Sequence, residues 1–570
     1  MTEKSDSTNL AARLDRLYEF DRAPITEDRL HSGSYFAAMF AGEHVAATEF
    51  VIGSLFVQFG AGARDVLIGL LIGNLLAVLS WAFICAPIAV QVRLTLYWYL
   101  RRIAGPYGTV TYNIVNAVLY CILAGAMITV SASAVRIPFG VPAETDILPH
   151  SLSYVLVVLF VGSVVVTIAI LGFKRLAQFA KICSPWMFLI FITGALATLP
   201  LLGKCTSLDD FWHIAKTQIW TGTRPDGKPP LGLGHMIFFA WICNLAMHIG
   251  LSDLAVFRYA RHWAYGFYSA FGMYLGHYLA WVCAGAMGAA VAKVLSTPLG
   301  NLDTGEIAFQ AAGIAGAIAV VIAGWTTANP TMYRAGLALQ IATPNWPRWL
   351  VTLAAGAVTT MVACFPWVFR KLLGFVAIYG LALMPVGAIV FIEHWIFPRI
   401  GLKRFWGGRY AFNPAMLITW PAALGFCALL HFVCGMHVFY IWLPGWVFTA
   451  VVYTALAMAL GAREGEVAPE VPAPPPPPPR PPAKAQQISK PIMWTGGVLA
   501  AASLAAMLGL AIWTFASGAE GTEQSKAAYR ESLGIFRKWL ILPTLTYFVG
   551  ALMWASQREK EKGPEPTGAV

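Results

Sequence analysis

Apolar runs separated by short polar gaps repeat along the whole chain, and most runs approach the roughly 20 residues needed to cross a bilayer as a helix. Successive runs centre on 35–60, 66–92, 109–135, 152–172, 177–202, 234–254, 264–294, 307–328, 348–366, 373–397, 415–435 and 438–460. Two more follow at 491–516 and 537–556. The pattern predicts an all-α polytopic membrane protein with about fourteen transmembrane helices in the lipid bilayer.

One break in the pattern divides the chain. At 469–484 it reads PEVPAPPPPPPRPPAK, which favours extended polyproline II and acts as a semi-rigid tether. The expected organisation is an N-terminal segment 1–34, a twelve-helix core 35–460, a proline-rich linker 461–490, a two-helix hairpin 491–557 and a tail 558–570. The linker is also a candidate docking segment for an SH3-like partner.

Basic residues between the runs set an orientation. Arg93, Arg101, Arg102, Lys174, Arg175, Arg258, Arg261, Arg334, Arg399, Lys403, Arg404 and Arg409 fall in alternate gaps. They predict cytoplasmic N- and C-termini, with 140–150 and 299–306 outside. The Arg370-Lys371 turn and the 203–233 segment run against that count. The latter reads as an external cap with interfacial Trp212 and Trp220. The polar N-terminus lacks an apolar signal-peptide core, and a bacterial inner membrane is the expected location.

Composition agrees: 58% of residues are hydrophobic and 12% charged, against about 45–50% and about 25% in soluble domains. The net charge of +11 is scattered between spans rather than gathered on one face, so a nucleic-acid partner is not expected. Nine cysteines form no CxxC pair, which argues against a zinc site or disulfide framework. HExxH, Walker A and GxSxG motifs are also missing from the sequence. The expectation is a protein that is not an enzyme and has no prosthetic cofactor.

Three runs carry polar residues where lipid tolerates them least. In MFAGEHVAATEF (39–50), Glu43, His44 and Glu49 interrupt the first run. Such charges cost about 2.5–3.5 kcal/mol at a bilayer centre, so they face the protein interior. Gly42 and the small residues Ala46 and Ala47 allow the helix to unwind, freeing carbonyls around Gly42, Val45 and Ala46 for a cation. In AWICNLAMHIGLSD (240–253), Asn244, His248 and Asp253 interrupt the sixth run. In VVIAGWTTANPTMYRAG (320–336), Ala323, Thr326 and Thr327 share one helix face and supply hard oxygen ligands. Asn329-Pro330 is expected to break that helix. Each stretch also has a plainer reading, as a helix-bridging Glu–His pair, a packing asparagine and threonine contacts between helices. Interrupted spans one and six hold corresponding places in two five-helix halves, the pointer to an inverted-repeat transporter.

The third stretch resembles the eighth helix of the nucleobase–cation symporter family, which includes cytosine, purine, hydantoin and allantoin permeases. There an alanine carbonyl and two hydroxyls hold sodium, matched here by Ala323, Thr326 and Thr327. SDLAVFRYARHWAYGFYSAFG (252–272) is similar to that family's sixth-to-seventh junction, and LALMPVGAIVFIEHW (381–395) to its tenth helix. The resemblance, over roughly 30–440, implies a 5+5 inverted repeat of the leucine-transporter type with peripheral helices. It also implies symport of a nucleobase or related ring compound, driven by Na+ or H+. Its ring-binding positions fall on Tyr120 and Ala124 in the third helix, Trp241 and Asn244 in the sixth, and Asn329 and Met332 in the eighth. Several differ in type from the family pattern, and Glu43 and His44 stand as replacement polar contacts. His248, Asp253 and Arg258 are the candidate gating and coupling residues. A carrier of another small solute, such as an amino acid or vitamin, and a non-transporting sensor or scaffold are the alternatives.

Overall fold

The computed structural model describes residues 22–463 and 489–561, apart from 145, 172, 225, 344–345 and 368–371. The Arg370-Lys371 turn, most of the proline-rich linker and the tail from 562 onward lie outside the described residues. Among the described residues, 11 helices are long and apolar enough to cross a membrane, or 12 if one bent pair counts as a span.

That pair is α1 (Gly33–His44) and α2 (Thr48–Gln58), bent by 53° at Val45–Ala47. α3 (Ala63–Val92), α4 (Arg101–Val135), α5 (Leu152–Ile170) and α6 (Phe173–Thr198) complete the first five spans. The second set opens on another broken span, α7 (Leu233–Ile242) and α8 (Leu245–His248). It continues with α9 (Trp263–Leu295), α10 (Thr304–Ala342), α11 (Arg348–Ala363) and α12 (Gly374–Arg399). α13 (Pro414–Phe432) and α14 (Trp442–Ala459) follow. All fourteen expected spans have helical counterparts, though α7 and α11 are too short to cross alone.

The halves interlock, third span on third and first on second. α10 lies along α4, α7 against α3, and α9 against both halves of the broken first span. Close approach requires small residues. A Cβ on Gly276 of α9 would sit 2.4 Å from the His44 carbonyl oxygen, so glycine there lets α9 press onto the end of α1.

Three expectations need correction. α10 does not break at Asn329-Pro330; it runs helically through both. Pro330 removes one amide, but the Thr326, Thr327 and Thr331 hydroxyls bond carbonyls one turn earlier, and α4 packs alongside. The irregularity lies instead at Ala312-Gly313, where Gly313 has φ 60° and ψ −147°. Trp220 is buried rather than interfacial, while Trp212 is half-buried beneath Lys216. The C-terminal hairpin keeps two spans, but its second arm starts earlier than 537: after α15 (Lys490–Gly518), α16 (Glu523–Trp539) and α17 (Ile541–Glu561) together make the apolar stretch Glu523–Arg558. They pack on α6 and α10.

Candidate functional site

The break after His44 turns the end of α1 toward α10. Thr327 Oγ1 reaches both the Glu43 carbonyl oxygen, at 2.9 Å, and the Ala323 carbonyl oxygen, at 3.1 Å. Thr326 Oγ1 donates to the same Ala323 oxygen at 3.0 Å. Two carbonyls and two hydroxyls from two helices are thus linked in one chain of contacts. A single hydroxyl proton cannot serve two acceptors fully, so this oxygen-only set suits a hard cation in place of the shared proton contacts.

Two turns beyond Thr327, at Arg334, lies a group of charges that span counting missed. Arg334 Nη1 donates to Glu43 Oε1 at 2.5 Å, and Nη2 donates to Glu43 Oε2 at 3.1 Å and to Asp253 Oδ1 at 2.6 Å. Trp81 Nε1 donates to Asp253 Oδ2 at 2.7 Å. All three charged residues are buried. One guanidinium thereby ties the first, sixth and eighth spans together, and the three carry one net negative charge.

Arg334 and Arg258, counted as cytoplasmic loop charges from the sequence, are both interior residues. α10 simply extends past the end expected for it, to Ala342. A buried arginine persists where carboxylates pair with it. Arg258 Nη2 donates to the Tyr259 hydroxyl at 3.0 Å and Nε to the Ala255 carbonyl at 3.2 Å, apart from that triad.

A cavity of about 60 Å³ fills the space between the breaks. Glu43, His44, Ala46 and Glu49 line it from the first span, Asn244 from the sixth, His277 from α9 and Thr327 from α10. Leu123, Met127 and Tyr379 close it. Asn244 Nδ2, His44 Nε2, Glu49 Oε2 and His277 Nδ1 are buried there without a hydrogen-bond partner. Unpaired polar atoms are costly in such a place, and water or a polar guest would satisfy them.

The remaining sequence candidates, Ala46 apart, lie outside this lining. Tyr120 packs behind Tyr379, ring centroids 5.6 Å apart, and Ala124 is buried next to the lining residue Leu123. Trp241 Nε1 donates to Ser80 Oγ at 3.0 Å, and its ring lies against Trp442. Met332 Sδ accepts from Thr359 Oγ1. Asn329 lines a separate gap of about 10 Å³ with Met39, Ala180 and Thr326. Gly42 packs on Ala180 of α6. Val45 forms the turn itself, and the Ala46 carbonyl already accepts from Glu49 N at 3.1 Å. His248 Nε2 donates to the Trp241 carbonyl at 3.0 Å, with its ring against Trp81.

Further along α2 a wider cavity of about 540 Å³ is lined by Ser54, Gln58, Ser133 and Glu144, with Ile52 common to both cavities. At its edge Arg136, ending α4, is paired with Asp303, the N-cap of α10.

No family model matches the sequence, and no curated protein matches it closely. Solved structures do match in fold. Mhp1, a nucleobase-cation-symport-1 family transporter in a closed conformation with bromovinylhydantoin bound, aligns with TM-score 0.59 at 15% identity, over 80% of this chain and 98% of that one. Mhp1 in an inward-facing conformation gives 0.57 at 15% identity, over 76% and 93%. A Na+-coupled sialic acid symporter in a substrate-bound outward-open state gives 0.56 at 12% identity, over 79% and 96%. The chain has the fold of these transporters. It is the leucine-transporter-type arrangement in which a five-span unit occurs twice, and the two broken spans are the first member of each unit.

Proposed function

We propose that the protein is a secondary active transporter that moves a nucleobase or related ring compound together with a cation by alternating access, with both termini in the cytoplasm. The observation that carries this reading is Thr327 Oγ1 between the carbonyls of Ala323 and Glu43, beside a cavity that both broken spans help to line. Sodium binds the oxygens of Ala323, Thr326, Thr327 and Glu43. Since these belong to two helices, binding favours the conformation that brings α1 and α10 together. Coupling to the solute follows only from that difference between conformations.

The solute sits between Asn244, His44, Glu43 and Tyr379. Asn244 offers an amide donor and acceptor that suit a cyclic amide or imide edge. Two carboxylates at the cavity disfavour an anionic solute. About 60 Å³ accommodates a few waters or an ion rather than a ring compound, for which sites of roughly 300 Å³ or more are usual. The conformation described is therefore contracted around the centre, and the 540 Å³ cavity is the solute's entrance.

The test is thermal stability of the protein in lipid vesicles against purines, pyrimidines and hydantoins, with and without sodium. Stabilisation by a ring compound that grows with sodium supports the proposal. Stabilisation by an amino acid instead would assign a different cargo, and no ligand response at any pH would favour a sensor or scaffold.

A further inference from the structure

Glu49 takes no part in the oxygen set or in the Arg334 triad, yet it is buried at the start of α2 with its Oε2 unpartnered. Thr48 Oγ1 donates to Glu49 Oε1 at 3.2 Å. His277 faces it from α9, Nε2 lying 3.9 Å from Oε1 and Nδ1 unpartnered. That histidine belongs to a widened π-helical turn, Phe271–Tyr278, a local irregularity often found at functional sites. Both side chains line the 60 Å³ cavity, which has room for water. We propose that Glu49 and His277 form a proton-binding site, separate from the sodium oxygens, through which the transporter takes up a proton in its cycle.

The remaining polar and titratable groups around the pair are few. Trp281 stacks on His277 with centroids 4.3 Å apart, and His44 meets it edge-on at 5.0 Å. Cys243 and Asn244 face the cavity from the sixth span, Tyr379 from α12, and Thr327 and Thr331 from α10. Glu43 lines the same cavity, but it and Asp253 are paired with Arg334. With one proton between them, Glu49 and His277 are neutral overall, whether that proton sits on oxygen or nitrogen. Without it they carry one negative charge, which the Thr48 hydroxyl, the nearby Trp281 indole and the N-terminal end of α2 favour without neutralising. The proton arrives on hydronium in the cavity, forms an O–H or N–H bond with the pair and leaves water behind. The step needs no other reactant.

This inference rests on the transporter reading, but its test uses the proton and sodium alone. The full chain in lipid vesicles is titrated with pH by difference infrared spectroscopy, following the carboxyl C=O band, and its melting temperature is followed against NaCl. Wild type is expected to show a titrating buried carboxyl that Glu49→Gln removes and Glu43→Gln retains. His277→Gln is expected to move its midpoint. Thr327→Ala is expected to keep the band while losing the response to NaCl. A band unchanged in both Glu49→Gln and His277→Gln overturns the proton site and leaves the sodium site standing. A NaCl response unchanged in Thr327→Ala overturns the sodium site alone.

Discussion

Thr327 has the contact that carries most of the functional reading, because its hydroxyl joins α10 to the broken end of α1. Thr327→Ala removes one of the four oxygens proposed to hold sodium and should weaken its binding by about tenfold or more, roughly 1.4 kcal/mol. NaCl titration of the melting temperature reads this directly. The Arg334 triad makes a second prediction from charge counting. Arg334→Met leaves Glu43 and Asp253 buried with no cation and should destabilise by about 3–5 kcal/mol. Glu43→Gln leaves the Arg334–Asp253 pair electrically balanced and should cost much less. Thermal unfolding of the two variants side by side checks the order, and equal losses would mean that the triad's charge balance is not what holds it.

At the scale of elements, backbone geometry decides where helices stop. Gly313 occupies a conformation that L residues avoid, and a Cβ there would meet the Arg537 carbonyl oxygen at 2.2 Å. The break in α10 is thus the seat of α16. Gly313→Ala should destabilise by about 1–3 kcal/mol from backbone strain alone. The loss should be smaller in a chain lacking α15–α17, since the clash is then gone; a double-mutant comparison by thermal unfolding separates the two contributions. Pro330 behaves oppositely: a residue expected to end a helix sits within one, because three threonine hydroxyls and the packed α4 brace the surrounding turns.

For the whole molecule, the C-terminal helices join the core formed by the two five-span units. Trp186 Nε1 donates to Thr544 Oγ1 at 3.1 Å, Tyr547 to the Ile182 carbonyl at 2.8 Å and Tyr529 to the Ala197 carbonyl at 2.6 Å. Leu533 and Phe536 are buried in the same apolar cluster as Trp186, Met187 and Ile190 of α6. A chain ended after Arg463 should melt at a lower temperature than the full protein and expose one face of α6. An unchanged melting temperature would show that these contacts add nothing to stability.

Hydrophobic periodicity alone determined the class, the order of the spans and the two matched interruptions, because lipid permits only runs of a narrow length and penalises charge within them. Residue spacing also selected Ala323, Thr326 and Thr327, since a helix fixes which side chains share a face. The partners of those residues were decided only in three dimensions. Arg334 reads as a loop charge until α10 proves to be longer than its apolar run, and Glu49 and His277 lie in different halves of the sequence. Tyr120 and Met332 fall on ring-binding positions by resemblance, yet neither lines the cavity: one packs on Tyr379 and the other on Thr359. Which buried charges neutralise one another depends on long-range packing, and one-dimensional pattern carries no record of it.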